Sequence, residues 1–145
     1  MEFPFPPGTF FVPNPQDPPV PPDQVRVRKV TVEPRNDRRR IKVVAELTPF
    51  EKRPHVEIEV YNQTGQIVAS LSVVEPINPV LEFTLHLRDP NPDQTFRLVV
   101  SVQYPDPDYT PKAPEEGEEW EFPEMHEVHR YEHTFDLAPS PFDFD

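Results

Sequence analysis

Apolar and polar residues alternate along most of the chain between Val25 and Leu137. A period of two is typical of strands with one buried face, because successive side chains of a strand point to opposite sides of the sheet. Seven segments carry this pattern: residues 25–33, 40–48, 55–61, 66–74, 80–88, 95–104 and 128–137. The sequence has no sustained helical period. The pattern therefore predicts an all-β fold built from seven antiparallel strands.

Two departures from strict alternation predict local features of these strands. The apolar phase of the first segment slips at Arg28 and Lys29, as it does where a β-bulge inserts one extra residue. Residues 62–65 predict a short hairpin loop, since Gly65 can adopt the positive φ that such a loop needs. The 12 prolines from Pro34 to Pro123 all fall between the segments, where a missing amide donor does no harm.

Turn signals recur at intervals of about 8–12 residues, which is the spacing of a small β-sandwich. The stretch from Leu85 through the corner Asp89-Pro90-Asn91-Pro92 to Val100 resembles the fifth strand, proline-containing corner and sixth strand of fibronectin type III domains. Phe96 stands where that family usually has a tyrosine, so the corner hydrogen bond from the tyrosine hydroxyl would be missing. The resemblance implies a seven-stranded sandwich of the immunoglobulin or fibronectin III type and a bias towards binding.

Both ends of the chain differ from the alternating region in composition. Nine prolines occur among the first 22 residues, so this arm is expected to be extended and cannot form a helix. Large aromatic side chains occur at both ends: Phe3, Phe5, Phe10 and Phe11 in the arm, and Phe142 and Phe144 in the tail. The sequence thus divides into an arm (1–23), a sandwich (24–138) with an acidic loop (105–124), and a tail (139–145). The arm is expected to pack over its own sandwich, dock on another chain or remain disordered.

Candidate catalytic and metal-binding groups are few. The sequence has no cysteine and only three glycines, which excludes disulfides, thiolate metal sites and a glycine-rich phosphate loop. Three histidines, His126, His129 and His133, lie near the last strand. In a regular strand the first two would face opposite sides and the last two would be ~13 Å apart, so surface positions are expected rather than one metal site. The carboxylates of the acidic loop are expected to be solvated, and no catalytic function, metal or cofactor is predicted.

The segment Asp89-Pro90-Asn91-Pro92-Asp93 has the alternating oxygen ligands with which a calcium-binding loop begins. Gln94 occupies the position of the turning glycine, and Val100 that of the closing glutamate. Asp, Asn and Pro are also ordinary turn residues. Calcium binding at this corner is therefore the less favoured interpretation.

Charge is distributed unevenly along the chain. Ten of the 14 basic residues lie between Arg26 and Arg53, whereas residues 103–145 hold 13 acidic and two basic residues. The net charge of −12 and the lack of aromatic residues among the arginines argue against nucleic-acid binding. A basic pole and an acidic pole on different surfaces would be complementary, which favours head-to-tail pairing between copies or with a protein partner.

Segments that direct a protein to a membrane are not evident. No apolar run approaches the ~20 residues of a membrane span. The N-terminus lacks the basic start and apolar stretch of a signal peptide, so a cytoplasmic location is expected.

The sequence predicts a non-catalytic structural or adaptor sandwich that self-assembles or docks on a larger complex. The alternative is a module that binds calcium or carbohydrate through the loops at 89–93 and 115–120, and a hydrolase built on these carboxylates is the least favoured. The candidate interface residues are Phe3, Phe5, Phe10, Phe11, Arg38, Arg39, Arg40, Trp120, Phe142 and Phe144.

Overall fold

The computed structural model describes residues 16–89, 91–108, 113–119 and 124–137. After a short 3₁₀ helix at Pro22–Gln24, the chain forms seven strands. These are β1 (Val27–Pro34), β2 (Arg40–Leu47), β3 (His55–Tyr61), β4 (Ile67–Val74), β5 (Val80–His86), β6 (Thr95–Pro105) and β7 (Met125–Asp136). The predicted segments match these strands to within three residues at either end, and the all-β prediction is confirmed.

The strands form two antiparallel sheets that pack face to face. One sheet has the order β1-β2-β5 and the other the order β4-β3-β6-β7. Most apolar residues of the alternating segments face the space between the sheets, which is the arrangement that buries one side of both. The most completely buried side chains include Ile41, Val43, Val56, Ile58, Val60, Phe96, Leu98, Val100, Val102 and Leu137. The seven-stranded β-sandwich predicted from the sequence is therefore observed.

Bulges interrupt three of the strand pairs. The register between β1 and β2 shifts between Val27 and Lys29, which confirms the bulge predicted there. A second shift leaves Val68 of β4 without a partner on β3, and a third leaves Val128 of β7 without a partner on β6. A bulge changes which side chains share a face, because it adds one residue to only one of the two strands.

The predicted hairpin between β3 and β4 is present. The Asn62 amide donates to the carbonyl of Gln66 at 2.9 Å, and the Gly65 amide donates to the carbonyl of Asn62 at 3.0 Å. Gly65 adopts a φ of 88°, in the region where a side chain would be strained. The loop is therefore closed by its own backbone and by the glycine.

The described part of the arm lies against the sandwich of its own chain. Val20 forms a bridge with Phe50, and the two backbone hydrogen bonds around it measure 3.0 and 3.1 Å. Asp17 forms an ion pair of 2.7 Å with Arg28 of β1. Residues 16–24 therefore follow the surface next to β1 and the β2–β3 loop.

Candidate interaction surfaces

Three loops meet at one end of the sandwich, here called the corner pole: residues 35–39, residues 62–66, and residues 87–89 with 91–94. Asn62 is buried there, and its Nδ2 donates to Oδ2 of Asp89 at 2.8 Å. Gln94 Nε2 donates to the same oxygen at 2.9 Å. Oδ1 of Asn62 accepts from the amides of Thr64 and Gln66 at 3.1 and 2.8 Å. We call Asn62, Asp89 and Gln94 the corner network, and it joins the β3–β4 hairpin to the β5–β6 loop.

The carboxylate of Asp89 is surrounded by donors from the protein. Its Oδ1 also accepts from the Asn91 amide at 2.8 Å. The Asn91 amide, followed by the Asn62 side chain, holds the pKa of Asp89 below its ordinary value. Both carboxylate oxygens of Asp89, the first residue of the candidate calcium loop, therefore already accept hydrogen bonds within the chain.

Arg38, one of the candidate interface residues, is tied into the corner pole. It has a φ of 57°, which places its backbone in the left-handed region. One guanidinium nitrogen contacts Oδ1 of Asp93 at 2.6 Å, and Nε donates to the carbonyl of Leu137 at 3.2 Å. Arg38 therefore connects the β1–β2 loop to the β5–β6 loop and to the end of β7.

Arg39 and Arg40, the next two candidates, lie on the exposed side of the same loop. The Arg39 and Arg40 amides donate to the Asp37 carboxylate, and Arg40 Nε pairs with it at 2.8 Å. These contacts, with the Arg39 amide foremost, lower the pKa of Asp37. Of these three arginines, Arg39 is the one whose side chain is exposed and has no partner among the described residues.

The basic residues between Arg26 and Arg53 do not gather on one surface. Because β1 and β2 cross the whole sandwich, Lys52 and Arg53 lie at the opposite end, here called the arm pole. The arm pole comprises residues 16–24, 48–54, 75–79 and the described parts of 106–124. Lys42 forms an ion pair of 3.1 Å with Glu82 between the two ends. The expectation of a single basic pole is therefore wrong for the part of the chain that the structure describes.

The acidic loop is described only in part. Residues 113–119 are mostly exposed, with a turn in which the Glu118 amide donates to the carbonyl of Glu115 at 2.9 Å and Gly117 has a φ of 89°. Seven candidate interface residues lie outside the described residues: Phe3, Phe5, Phe10, Phe11, Trp120, Phe142 and Phe144.

The histidines of β7 are arranged differently from the prediction. His126 stands opposite Tyr104 and His129 opposite Val102, two positions apart on β6. Residues directly opposite each other share a face of an antiparallel pair, so these two histidines share one face. The prediction that they face opposite sides is wrong, because the extra residue Val128 shifts the alternation. Within the described ranges, no group of three His, Asp or Glu side chains could hold a metal ion.

His129 links the two sheets at their edges. The Val27 amide, at the bulge of β1, donates to Nδ1 of His129 at 2.9 Å. Burial, followed by the charge of Arg26, lowers the pKa of His129, although Glu127 opposes this shift. A neutral imidazole with its proton on Nε2 fits this contact, since a protonated ring would place two donors against each other. Sequence reasoning missed this residue because its partner is a backbone amide 102 positions away.

We expect this contact to make stability depend on pH. The fold disfavours protonated His129, so the unfolded chain takes up the proton first, near the ordinary pKa of 6.5. The free energy of unfolding should therefore fall as the pH drops from about 6.5 to the lowered pKa, and be fully retained above this window. Urea unfolding of the wild type and of His129→Asn, which keeps an acceptor but does not titrate, measures the difference. His86→Asn, at an exposed histidine, is the control. If the free energy of unfolding depends on pH equally in the wild type and in His129→Asn, the pH dependence does not come from His129.

Large exposed apolar side chains are concentrated at one edge of the sandwich. They are Ile67 and Val74 of β4 and Ile77 and Val80 in and after the β4–β5 connection, with 47, 68, 57 and 47% of their surface accessible. A groove of about 340 Å³ opens between β4 and β5, and its lining includes Leu71, Val73, Ile77, Val80 and Phe83. We call these residues with Ile67 and Val74 the apolar edge. Sequence reasoning did not select it, although the absence of charge from β4 was a visible signal.

Comparisons with known proteins give no family. No protein-family model and no curated protein sequence matches the chain. A β-glucuronidase from Ruminococcus gnavus in complex with D-glucuronic acid is similar in structure, with 12% identity and a TM-score of 0.47 over 79% of this chain. A Bifidobacterium dentium β-glucuronidase complexed with coumarin-3-O-glucuronide is also similar in structure, with 13% identity and a TM-score of 0.45 over 78% of this chain. The chain spans only 16 and 18% of these two proteins.

The described residues include no helix that is long and apolar enough to cross a membrane.

Proposed function

We propose that this protein is a non-catalytic adaptor or structural module that associates with a second copy or with a protein partner. One observation carries the proposal: three of the four large exposed apolar residues, Val74, Ile77 and Val80, lie close together at the end of β4, in the adjoining β4–β5 connection and at the start of β5. Scattered apolar side chains are normal on a protein surface, but a contiguous group typically marks an interaction site. The charged groups of the corner pole are, by contrast, mostly engaged in contacts within the chain.

The strand order supports a sandwich of the immunoglobulin or fibronectin III type. In immunoglobulin constant-type domains the first, second and fifth strands share one sheet, and the third, sixth and seventh share the other. The orders β1-β2-β5 and β4-β3-β6-β7 keep this division, with β4 paired to β3 instead of lying in the sheet of the first strand. Sandwiches of this type host many functions, and binding through an edge, a loop or a terminal segment is common to them.

The aromatic arm is the second part of the proposed function. Its four phenylalanines lie within the first 11 residues, ahead of the segment that follows the surface of the sandwich from Gln16 onwards. Aromatic side chains on a short proline-rich segment cannot bury one another, whereas they supply much of the binding energy when they enter a protein interface. We propose that the arm docks on another chain through these residues, with Arg39 and the acidic loop setting the orientation.

Multi-angle light scattering tests this proposal on the full chain and on a variant with serine at Phe3, Phe5, Phe10 and Phe11. The variant keeps every contact of residues 16–24, so its sandwich should remain as stable as the wild type. We expect the wild type to form oligomers, or to retain a partner from an extract of its source, and the variant to lose that association. Self-assembly is wrong if both proteins are monomeric at low and high salt. The arm has no role if both associate equally.

A further inference from the structure

The four edge strands of the sandwich differ in how they are protected against pairing with another chain. An open edge presents unpaired N–H and C=O groups, and charged residues or prolines usually block it. Such residues occur in three of the edge strands: Arg28, Lys29, Glu33 and Pro34 in β1, Glu82 in β5, and Glu127, Arg130, Glu132 and Asp136 in β7. The fourth, β4, has the sequence Ile-Val-Ala-Ser-Leu-Ser-Val-Val, with neither charge nor proline. It is therefore the unprotected edge among the described strands.

The backbone of β4 presents alternate residues to the open side. The Asn62 amide donates to the carbonyl of Gln66, so Asn62 turns its backbone groups towards β4. Alternate residues of a strand turn their backbone groups to the same side, so the same holds for Val60, Ile58 and Val56. The residues opposite these three, namely Ala69, Leu71 and Val73, therefore hydrogen-bond to β3. The residues between them, Ser70 and Ser72, and Val74 after them, turn their N–H and C=O groups to the open side of β4.

The open stretch has a definite beginning. The carbonyl of Val68, the bulged residue, accepts from the backbone amide of Arg88 at 2.9 Å and from Arg88 Nε at 3.3 Å. The loop after β5 thus covers the first part of the β4 edge. From Ser70 to Val74 no other described strand pairs with this side of β4. The open stretch is long enough for two pairs of backbone hydrogen bonds.

We propose that β4 is a self-association site, at which β4 of a second copy pairs antiparallel with it across a two-fold axis. Opposite residues must share a face, so the register that centres the axis on Leu71 places Ser70 opposite Ser72 of the second copy. Ser70 and Ser72 both turn their backbone N–H and C=O groups to the open side of β4. Each pair of Ser70 with Ser72 of the other copy therefore forms backbone hydrogen bonds, and the two-fold axis produces two such pairs. The four-stranded sheet becomes an eight-stranded sheet continuous through both copies.

The chemistry of β4 allows a second copy to pair with it despite the charge of the chain. A chain with a net charge of −12 repels its own copies, and an uncharged strand places no like charges opposite each other. In the proposed register Val74 of one copy reaches the end of the open stretch of the other, next to Val68 and the loop that covers it. The paired segment is the same on both copies, as an interface made of one patch on both copies requires. This inference rests on the proposed function and specifies the surface through which association occurs.

Sedimentation velocity over a dilution series tests the pairing with the full-length chain. Ser70→Pro removes an N–H that β4 does not use within its own sheet, and proline is tolerated at such a position on an edge strand. We expect it to raise the dimer dissociation constant at least about tenfold, because symmetry removes two hydrogen bonds. Ser70→Ala, which keeps the N–H, should dimerise like the wild type. Circular dichroism and thermal unfolding establish that each variant is folded.

Val74→Asp is a second variant whose fold is secure, because 68% of the Val74 surface is exposed. It should weaken the dimer by a similar factor through the apolar contact alone. A wild type that is monomeric at every concentration overturns the proposal, including the case in which residues 1–15 of the same chain cover the edge. The proposal is also overturned if Ser70→Pro and Ser70→Ala change the dimer dissociation constant equally. A dimer that withstands Ser70→Pro and Val74→Asp but is lost in the four-serine arm variant refutes the edge pairing and supports the arm.

Discussion

Replacing Phe96 by alanine is expected to lower the free energy of unfolding by about 3–5 kcal/mol. Only 1% of Phe96 is exposed, and its ring stacks on that of Phe135 with a centroid distance of 5.6 Å and an interplanar angle of 18°. The two residues are directly opposite on β6 and β7, so the stack joins these strands inside the core. Truncation removes the stack and leaves a cavity that the adjacent strands can close only in part.

Urea unfolding measures this loss, and Phe83→Ala is the matched control. Phe83 lies on β5 at the rim of the groove and is only partly buried, so its truncation should cost roughly 1 kcal/mol. If Phe96→Ala does not fold, Phe96→Leu should still unfold at a lower urea concentration than the wild type. A loss at Phe96 no larger than that at Phe83 would contradict the core position of Phe96.

The phenyl ring of Phe96 enters the core next to the corner between β5 and β6. The hydrogen bonds of that corner are formed by Asn62, Asp89 and Gln94. Arg38 adds an ion pair to Asp93 of the same loop. A network of side chains from separate loops therefore holds the corner in place.

Asn62→Asp is expected to destabilise the protein by about 2–4 kcal/mol at neutral pH. The Nδ2 group of Asn62 donates to Asp89 at 2.8 Å and to Oε1 of Gln66 at 3.2 Å. Aspartate cannot donate these hydrogen bonds when ionised, and it places a second carboxylate against that of Asp89. The deficit should shrink as the pH falls towards about 4, because one protonated carboxyl can then donate to the other.

Asn91→Asp is the control for this prediction, because Asn91 is exposed and uses only its Oδ1, which accepts from the Asp93 amide at 3.0 Å. Aspartate keeps that acceptor, so the change in unfolding free energy should stay within about 0.5 kcal/mol. Thermal unfolding at neutral and acidic pH distinguishes the two variants. Equal stability of Asn62→Asp and Asn91→Asp at neutral pH would show that the corner network is unimportant.

The strands could be predicted from the sequence because burial of one face imposes a period of two on their side chains. The bulge at Arg28 left a visible slip in that period, and the hairpin at Gly65 left a glycine. The bulge at Val128 left no such mark, because Val128 is apolar like the core positions around it. The faces of His126 and His129 were therefore predicted from a regular strand, and the prediction failed.

The contacts of the corner pole could not be predicted because they join residues that are distant in the sequence. Asn62 and Asp89 are 27 positions apart, and Arg38 and Leu137 are 99 apart. Each is also an ordinary loop residue by type, so the sequence did not distinguish a member of the corner network from a calcium ligand or an exposed cation. The open edge differs in this respect, since eight successive residues without charge or proline are evident once β4 is known to be an edge strand.

The proposed dimer requires that the β4 edge is open in the monomer. Amide hydrogen exchange of β4 measures this residue by residue. In dilute protein we expect slow exchange at Ala69, Leu71 and Val73, whose amides bond to β3, and fast exchange at Ser70 and Ser72. At concentrations where the dimer forms, the two serine amides should become protected as well. Slow exchange of both serine amides at every dilution would contradict the account, because another part of the same chain would then already cover the edge. Fast exchange at every concentration would contradict it equally, since no second copy would bind there.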